Sequence, residues 1–265
     1  MKFEKLNLDK KLLRAIADMK YERCTPVQEQ TFPESLTGRD VSVQAQTGTG
    51  KTAVFLVTSL QRMLSQIDLG GKLRVLILVP TRELAVQVEK QAKLLCRHIS
   101  YRAVSMYGGV GYDRQERAVR DGVEIIVATP GRLIDFIKSK KLDLSTVRYM
   151  IIDEADRMMD MGFMPDVRFI LKKAPPKEKR HTMIFSATLD ARIRRLAGQY
   201  MTDPAEIEIE PDQVTVENVR QTLFHVSREE KIPAILWLVK REHITKGLIF
   251  TNMKRTAEKV GFKLD

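Results

Sequence analysis

Ala45-Gln46-Thr47-Gly48-Thr49-Gly50-Lys51-Thr52 stands between a short apolar strand candidate, Val41 to Ala45, and a helical pattern from Ala53 to Leu64. The string fits the phosphate-loop pattern G-x-x-x-x-G-K-[ST], with Ala45 in the place of the first glycine. A strand, a glycine-rich turn and a helix in that order make an anion cradle. The glycines let backbone N–H groups curl around phosphate oxygens, and the helix aims its positive end at the same point. Gln46, Thr47, Gly48, Thr49 and Gly50 would line this cradle, Lys51 would reach the β- and γ-phosphates, and the Thr52 hydroxyl would ligate Mg²⁺.

Outward from this loop, short apolar runs alternate with helical patterns. The strand candidates are Val41 to Ala45, Leu73 to Val79, Ala103 to Tyr107, Glu124 to Ala128, Tyr149 to Ile152, Thr182 to Phe185 and Ala205 to Ile209. Several are rich in Val, Ile and Leu without alternation, as strands buried on both faces should be. Between them, Arg82 to Cys96 places Leu84, Val88 and Leu95 near one helical face, and Asp9 opens a first helix that stacks Leu12, Leu13, Ile16 and Met19. The pattern predicts an α/β domain with a mostly parallel sheet flanked by helices.

A nucleotide site of this kind also needs an acid at the end of a neighbouring strand. Met150-Ile151-Ile152 runs directly into Asp153-Glu154-Ala155-Asp156. Asp153 would hold Mg²⁺ through its water shell, and Glu154 would orient or deprotonate the attacking water. Alone, such a string also fits an acid-rich helix N-terminus; paired with the upstream loop it reads as catalytic.

Composition sets the partner class. Lys and Arg number 45 against 34 Asp and Glu, a formal charge of +11, which favours a polyanion and fits a well-solvated basic surface too. The two cysteines, Cys24 and Cys96, form no C-x-x-C, so neither a disulfide framework nor a zinc site is indicated. No run approaches the ~20 apolar residues of a membrane span, and the N-terminus lacks the apolar stretch of a secretory signal, so a cytoplasmic protein without a membrane partner is expected. The Lys- and Pro-rich stretch from Lys172 to Arg180 reads as a solvated surface connector.

From Glu210 to Asn218 the alternation stops, and a linker over 210–218 is expected after a domain spanning 1–209. Beyond it come a strand candidate, Val219 to Val226, a helix, Glu229 to Arg241, an apolar strand candidate, Gly247 to Phe250, and a last helix. A strand as apolar as Leu248-Ile249-Phe250 needs neighbours on both sides, so residues 219–265 read as the start of a second domain, incomplete here.

Asp153-Glu154-Ala155-Asp156 together with the loop at 45–52 resembles the DEAD-box family of ATP-dependent RNA helicases, and other motifs follow in the family's order. The resemblance implies two RecA-like domains with ATP and Mg²⁺ as cofactors. Thr25-Pro26-Val27-Gln28 resembles the adenine-reading motif, in which Gln28 would bond the base, with Tyr21 beside it and Phe3 in the place of the upstream aromatic that stacks on adenine. Lys20 and Cys24 stand where the family usually has Gly and Pro. Pro80-Thr81-Arg82, Gly108-Gly109 and Thr129-Pro130-Gly131-Arg132 resemble the motifs that hold the RNA backbone, a use that helix N-termini with Thr and Arg side chains suit without reading bases. Ser186-Ala187-Thr188 resembles the motif that couples the ATP site to strand separation, the hydroxyls of Ser186 and Thr188 bonding Asp156; Leu248 to Asn252 resembles the first motif of the second domain.

Within the family, Cys24-Thr25-Pro26, Tyr107 to Asp113 and Arg157-Met158-Met159 look nearest to a bacterial type that works in the RNA degradosome, which implies degradosome-type partners for a full-length parent. The family's ARGxD motif and its HRxGRxGR motif, which supplies arginine fingers, do not occur in this sequence. A non-catalytic module that binds nucleotide and RNA is therefore an alternative to an active helicase. A DNA helicase or an unrelated ATPase would leave Gln28 and the motifs at Pro80 and Thr129 without a role.

Overall fold

A computed structural model of the chain describes residues 1–66, 72–209 and 222–264. It divides into two compact units, Met1–Asp212 and Gln213–Asp265. The stretch read as a linker, 210–218, lies outside the described residues.

The first unit begins with a single 3-10 turn, Phe3–Leu6, and two helices, α1 (Lys10–Asp18) and α2 (Pro26–Ser35). Then β1 (Val41–Gln44), α3 (Lys51–Leu64), β2 (Val75–Leu78), α4 (Arg82–Leu95), β3 (Ala103–Met106), α5 (Tyr112–Arg120), β4 (Ile125–Ala128) and α6 (Pro130–Lys138) follow in regular alternation. The unit continues through β5 (Tyr149–Ile152), α7 (Ala155–Asp160), α8 (Met164–Lys173), β6 (His181–Ser186), α9 (Ala191–Tyr200) and β7 (Ala205–Glu208). The seven strands form one sheet in the order β3-β4-β2-β5-β6-β1-β7, every pairing parallel.

Side-chain alternation along each strand feeds two cores, one on each face of the sheet. Val75 and Ile77 of β2 join the core beneath α2, α3 and α4, whereas Leu76 and Leu78 join the one beneath α6, α8 and α9. The edge strand β7 differs: Ala205 and Ile207 are buried, and the exposed Glu206 and Glu208 both pair with Arg194. Charge on an exposed edge discourages pairing with another sheet.

The stretch Lys172 to Arg180, expected to be a solvated connector, ends in a buried anchor. Arg180 is 8% exposed and donates to the carbonyls of Leu171 (3.1 Å), Pro175 (2.8 Å) and Tyr200 (3.3 Å) and to the Thr182 hydroxyl (3.2 Å). A guanidinium can be buried when its N–H groups find acceptors in this way. Nearby, the buried Asp40 accepts from the N–H groups of Thr182 (2.7 Å) and Thr202 (2.8 Å), pinning the start of β1 to β6 and to the end of α9.

His181 opens β6 under the same constraint. Its Nε2–H donates to the Arg39 carbonyl (2.8 Å), which leaves Nδ1 as the bare nitrogen, buried and without a partner. Burial pushes the imidazole from an ordinary 6.5 down to about 4, against the favourable bond to Arg39 and helped by the charge of Arg62. The unfolded chain takes up this proton more readily than the native state, so native stability falls as pH drops below 6.5 and the loss is complete near 4. Between pH 7 and 5 the contribution is about 2 kcal/mol, at ~1.4 kcal/mol per pKa unit. Urea unfolding at the two pH values should show that loss, and His181→Gln, which keeps a donor toward Arg39, should reduce it. An identical pH response in the variant would rule His181 out.

In the second unit α10 (Lys231–Arg241) and α11 (Lys254–Leu264) form, but the expected strands do not. Residues 222–226 and 247–250 are assigned no strand, and the beginning of the first candidate, 219–221, lies outside the described residues. Leu248 and Phe250 are 86% and 91% exposed. The physical reason is that a lone extended segment leaves its N–H and C=O groups unpaired, and among the described residues of this unit no neighbouring strand takes them up.

Candidate functional site

β1, β6 and β5 lie side by side, so the segments leaving their C-terminal ends converge at one edge of the sheet. In open parallel α/β sheets, ligands bind beyond this edge, where the chain leaves the strands. The Ala45 N–H donates to the Ser186 carbonyl (2.9 Å), and the chain then turns through Gln46 to Gly50 into α3. Gly48 and Gly50 hold φ of +87° and +97°. At Gly50 glycine is required twice over: a Cβ would fall 2.6 Å from Gln28 Nε2 and 3.1 Å from Thr25 Oγ1, besides the strain of positive φ.

Those two neighbours brace the loop. Thr25 Oγ1 donates to the Thr49 carbonyl (2.7 Å), and Gln28 Nε2 donates to the Gly50 carbonyl (3.1 Å). Gln28 Oε1 accepts from the Thr25 N–H (2.9 Å), closing a capping box at the start of α2. The Gln28 amide thus touches the phosphate loop directly, and one N–H and one lone pair remain for a base. Lys51 is buried, and its ammonium folds back to donate to the Ala45 carbonyl (2.8 Å).

The aromatic pair is divided by the fold. Phe3 is 3% exposed and packs between Tyr21 (centroids 6.2 Å apart, stacked) and Phe32 (6.0 Å, edge-on). It belongs to the core floor, whereas Tyr21 is half-buried and more accessible.

Asp153 leaves β5 with its N–H on the Leu78 carbonyl (3.0 Å). Its buried carboxyl is pushed up to about 6 by desolvation, an effect opposed by the charge of Lys51 and reinforced by Glu154 and Asp156. A divalent cation beside Asp153 and the Thr52 hydroxyl would supply the positive charge that the carboxylate lacks, so the donors here fit Mg²⁺. Glu154 caps α7 in the left-handed region at φ 50°, an unusual place for a side chain with a Cβ, and its carboxylate is steadied by Arg157 (3.2 Å).

The link between β5 and β6 differs from the expected one. The Ser186 hydroxyl accepts from the Asp156 backbone N–H (3.3 Å), while the Asp156 carboxylate accepts from the Ala187 N–H (3.0 Å). Thr188 is exposed, and among the described residues it makes no hydrogen bond to Asp156. Because the backbone at Ala187 lies in register to reach Asp156, the carboxylate is satisfied without a hydroxyl.

β3, β4 and β2 form the other half of the same edge. Thr81 caps α4, its hydroxyl accepting from the Leu84 N–H (3.3 Å), and Thr129 precedes α6, its hydroxyl left free of any capping bond. Pro80 and Pro130 are buried; they shape their turns and offer no exposed contact. Gly109, at φ +82°, and Gly131 leave open space for a close approach. Arg82 lies over the ring of Tyr107 (4.9 Å) and Arg132 over that of Tyr112 (4.5 Å), with Arg132 Nη2 donating to the Val110 carbonyl (3.2 Å). The sequence motifs located both arginines; the tyrosines beneath them and Gln115, which donates to the Tyr107 carbonyl (3.3 Å), carried no such signal beyond their place beside the glycines.

Among the described residues, no helix is long and apolar enough to cross a membrane. Residues 25–196 match the family model described as DEAD/DEAH box helicase. Similar curated proteins include "ATP-dependent RNA helicase RhlB" of Pasteurella multocida, 42% identical, and of Haemophilus influenzae, 41% identical, each over 98% of this chain. The chain spans 62% and 63% of the length of those two relatives. The crystal structure of a DEAD box protein from the hyperthermophile Methanococcus jannaschii superposes with a TM-score of 0.73 at 34% identity, covering all of this chain and 70% of that one. With the family model matched by more than half of the chain, in a fold that brings the matched motifs to one sheet edge, the chain belongs to the DEAD/DEAH box helicase family.

Proposed function

We propose that this chain is the ATP- and RNA-binding part of an ATP-dependent RNA helicase of the RhlB type. In this reading residues 1–209 are the ATP-binding RecA-like domain and residues 219–265 begin a second one. The observation that carries it is the division of one sheet edge: a phosphate loop with paired acids lies over β1, β6 and β5, and helix N-termini with arginines lie over β2, β4 and β3. Two anion-binding surfaces on one rigid edge suit a protein that couples nucleotide to RNA.

In the proposed mechanism the N–H groups of the loop and Lys51 bind the β- and γ-phosphates, which requires the ammonium to exchange the Ala45 carbonyl for phosphate oxygen. Thr52 and Asp153 would hold Mg²⁺, which when bound supplies charge neutralisation at the phosphates. Glu154 orients the attacking water and accepts its proton. Asp156, Ser186 and Ala187 connect the acids to β6, so a change at the nucleotide is transmitted to the neighbouring strand. Coupling to duplex separation is assigned to the chain together with a complete second domain.

Gln28 would select adenine with its remaining N–H and lone pair, because a base with mismatched donors leaves buried polar groups unpaired. Gln28→Ala should therefore cut the preference for ATP over GTP roughly tenfold, on the order of one lost hydrogen bond. A titration with fluorescent ATP and GTP analogues checks this, and unchanged selectivity would remove Gln28 from base reading.

RNA binding through Thr81, Arg82, Gly109, Thr129, Gly131 and Arg132 should be weak, indifferent to sequence and steeply salt-dependent. Phosphate contacts release counterions, and with one domain alone the affinity is expected near ~10⁻⁴ to 10⁻⁶ M. Anisotropy titrations of several single-stranded RNAs across a salt series test it. Nanomolar binding to one sequence only would contradict backbone recognition.

A further inference from the structure

The loop Tyr107-Gly108-Gly109-Val110-Gly111-Tyr112 has a tyrosine at each end, and each tyrosine lies beneath an arginine from a different helix start. Arg82, at the start of α4, sits over Tyr107; Arg132, at the start of α6, sits over Tyr112. Neither ring is loose. Tyr112 is stacked parallel to Phe136, with centroids 4.6 Å apart and planes at 4°, and Phe136 is fully buried. The Tyr107 backbone is tied to α5 through Gln115, itself 4% exposed.

A guanidinium stacked on a ring keeps its in-plane N–H donors available, while its long stem loses the freedom to wander. Arg132 spends one donor on the Val110 carbonyl, and its Nη1 is buried without a partner. Among the described residues, neither Arg82 nor Arg132 forms an ion pair with a carboxylate, whereas Lys141, also over the Tyr112 ring (5.3 Å), is paired with Glu116 (2.7 Å). The rings therefore hold two uncompensated cations in place, and an oxyanion is the partner that such fixed donors lack.

We infer that Tyr107 and Tyr112 are positioning residues for RNA-backbone binding: each seats one arginine, and the glycine loop between them sets the arrangement in which the pair meets the phosphates of a strand. The inference rests on the RNA-binding reading proposed above. The hydroxyls have no part in it; the ring faces do. Phenylalanine should therefore substitute at either position, and an aliphatic side chain should not.

The test uses the 265-residue chain and a fluorescein-labelled single-stranded RNA of mixed sequence, titrated by anisotropy across a salt series. Tyr112→Leu is expected to weaken binding about threefold to fivefold, the fold-change that corresponds to an exposed cation–π contact. It should also flatten the log-log salt slope by ~0.7, the share of one phosphate on a single strand. Tyr112→Phe should match the parent chain in both. In an Arg132→Gln background, Tyr112→Leu should add less than about twofold, because residues acting through one contact are not additive. Tyr107→Leu paired with Arg82→Gln repeats the cycle at the other end of the loop.

A readout without RNA keeps the seating itself testable: the Arg82 and Arg132 Nε–Hε resonances should carry ring-current shifts that the Leu variants lose and the Phe variants retain. A full Tyr112→Leu effect in the Arg132→Gln background, or none in the parent, would overturn the inference while leaving RNA binding intact. If the parent chain fails to bind RNA at all, the RNA-binding reading falls first and this inference with it.

Discussion

A polypeptide of these 265 residues is expected to hydrolyse ATP very slowly and to leave an RNA duplex closed, and a second α/β domain carrying the family's arginine motifs is expected to raise RNA-stimulated turnover ~10³ to 10⁵-fold. Phosphoryl transfer is mostly positioning and stabilisation of charge on the transferred group. The first unit has the loop, Lys51 and Glu154 in place, but among Arg220, Arg228, Arg241 and Arg255 none stands in an ARGxD or HRxGRxGR motif. Steady-state turnover with RNA, measured with the domain added in trans or joined in cis, checks the gain, and Glu154→Gln should abolish it. Duplex unwinding by this polypeptide alone, with its mass verified and contaminating ATPase removed, would overturn the expectation.

Lys51→Ala should be the most damaging single change to nucleotide binding. Lys51 is buried, its charge is the main force opposing the rise in the Asp153 pKa, and its amine already spans the loop to the Ala45 carbonyl. Without it the Asp153 carboxyl rises further, so a metal that binds there must displace its proton. Truncating one partner of a buried, hydrogen-bonded charge contact in a complex costs ~2–5 kcal/mol of affinity, a loss of at least ~30-fold. Calorimetric titration with ADP and Mg²⁺ measures the loss, with thermal melts showing that the sheet survives. Affinity within threefold of the parent would refute the role.

Much of this was legible in the sequence because the signals were local. The run Leu73 to Val79 contains β2 whole, since a strand buried on both faces needs apolar residues at every position. The loop at 45–52 announced itself through glycines that a positive φ demands. The tail misled for the opposite reason: Leu248-Ile249-Phe250 has strand composition, yet a strand exists only through its neighbours. Arg180 also escaped notice, because whether a basic residue in a Lys- and Pro-rich stretch meets water or four acceptors is decided by distant carbonyls. The resemblance put the hydroxyls of Ser186 and Thr188 on Asp156, whereas the carboxylate takes the Ala187 N–H, a choice that depends on strand register and not on residue type.

Glu154 holds a left-handed backbone at the position to which we assign the general base. Glycine or asparagine would sit there with less strain, on the order of 1–3 kcal/mol for such conformers, so the fold would gain from losing the glutamate that the proposed mechanism uses. Folding and chemistry thus select in opposite directions at a single codon. A library of this gene sorted only for thermal endurance would be expected to enrich substitutions at Glu154. If Glu154 serves as proposed, glutamate at this position is held by chemistry against the preference of the fold.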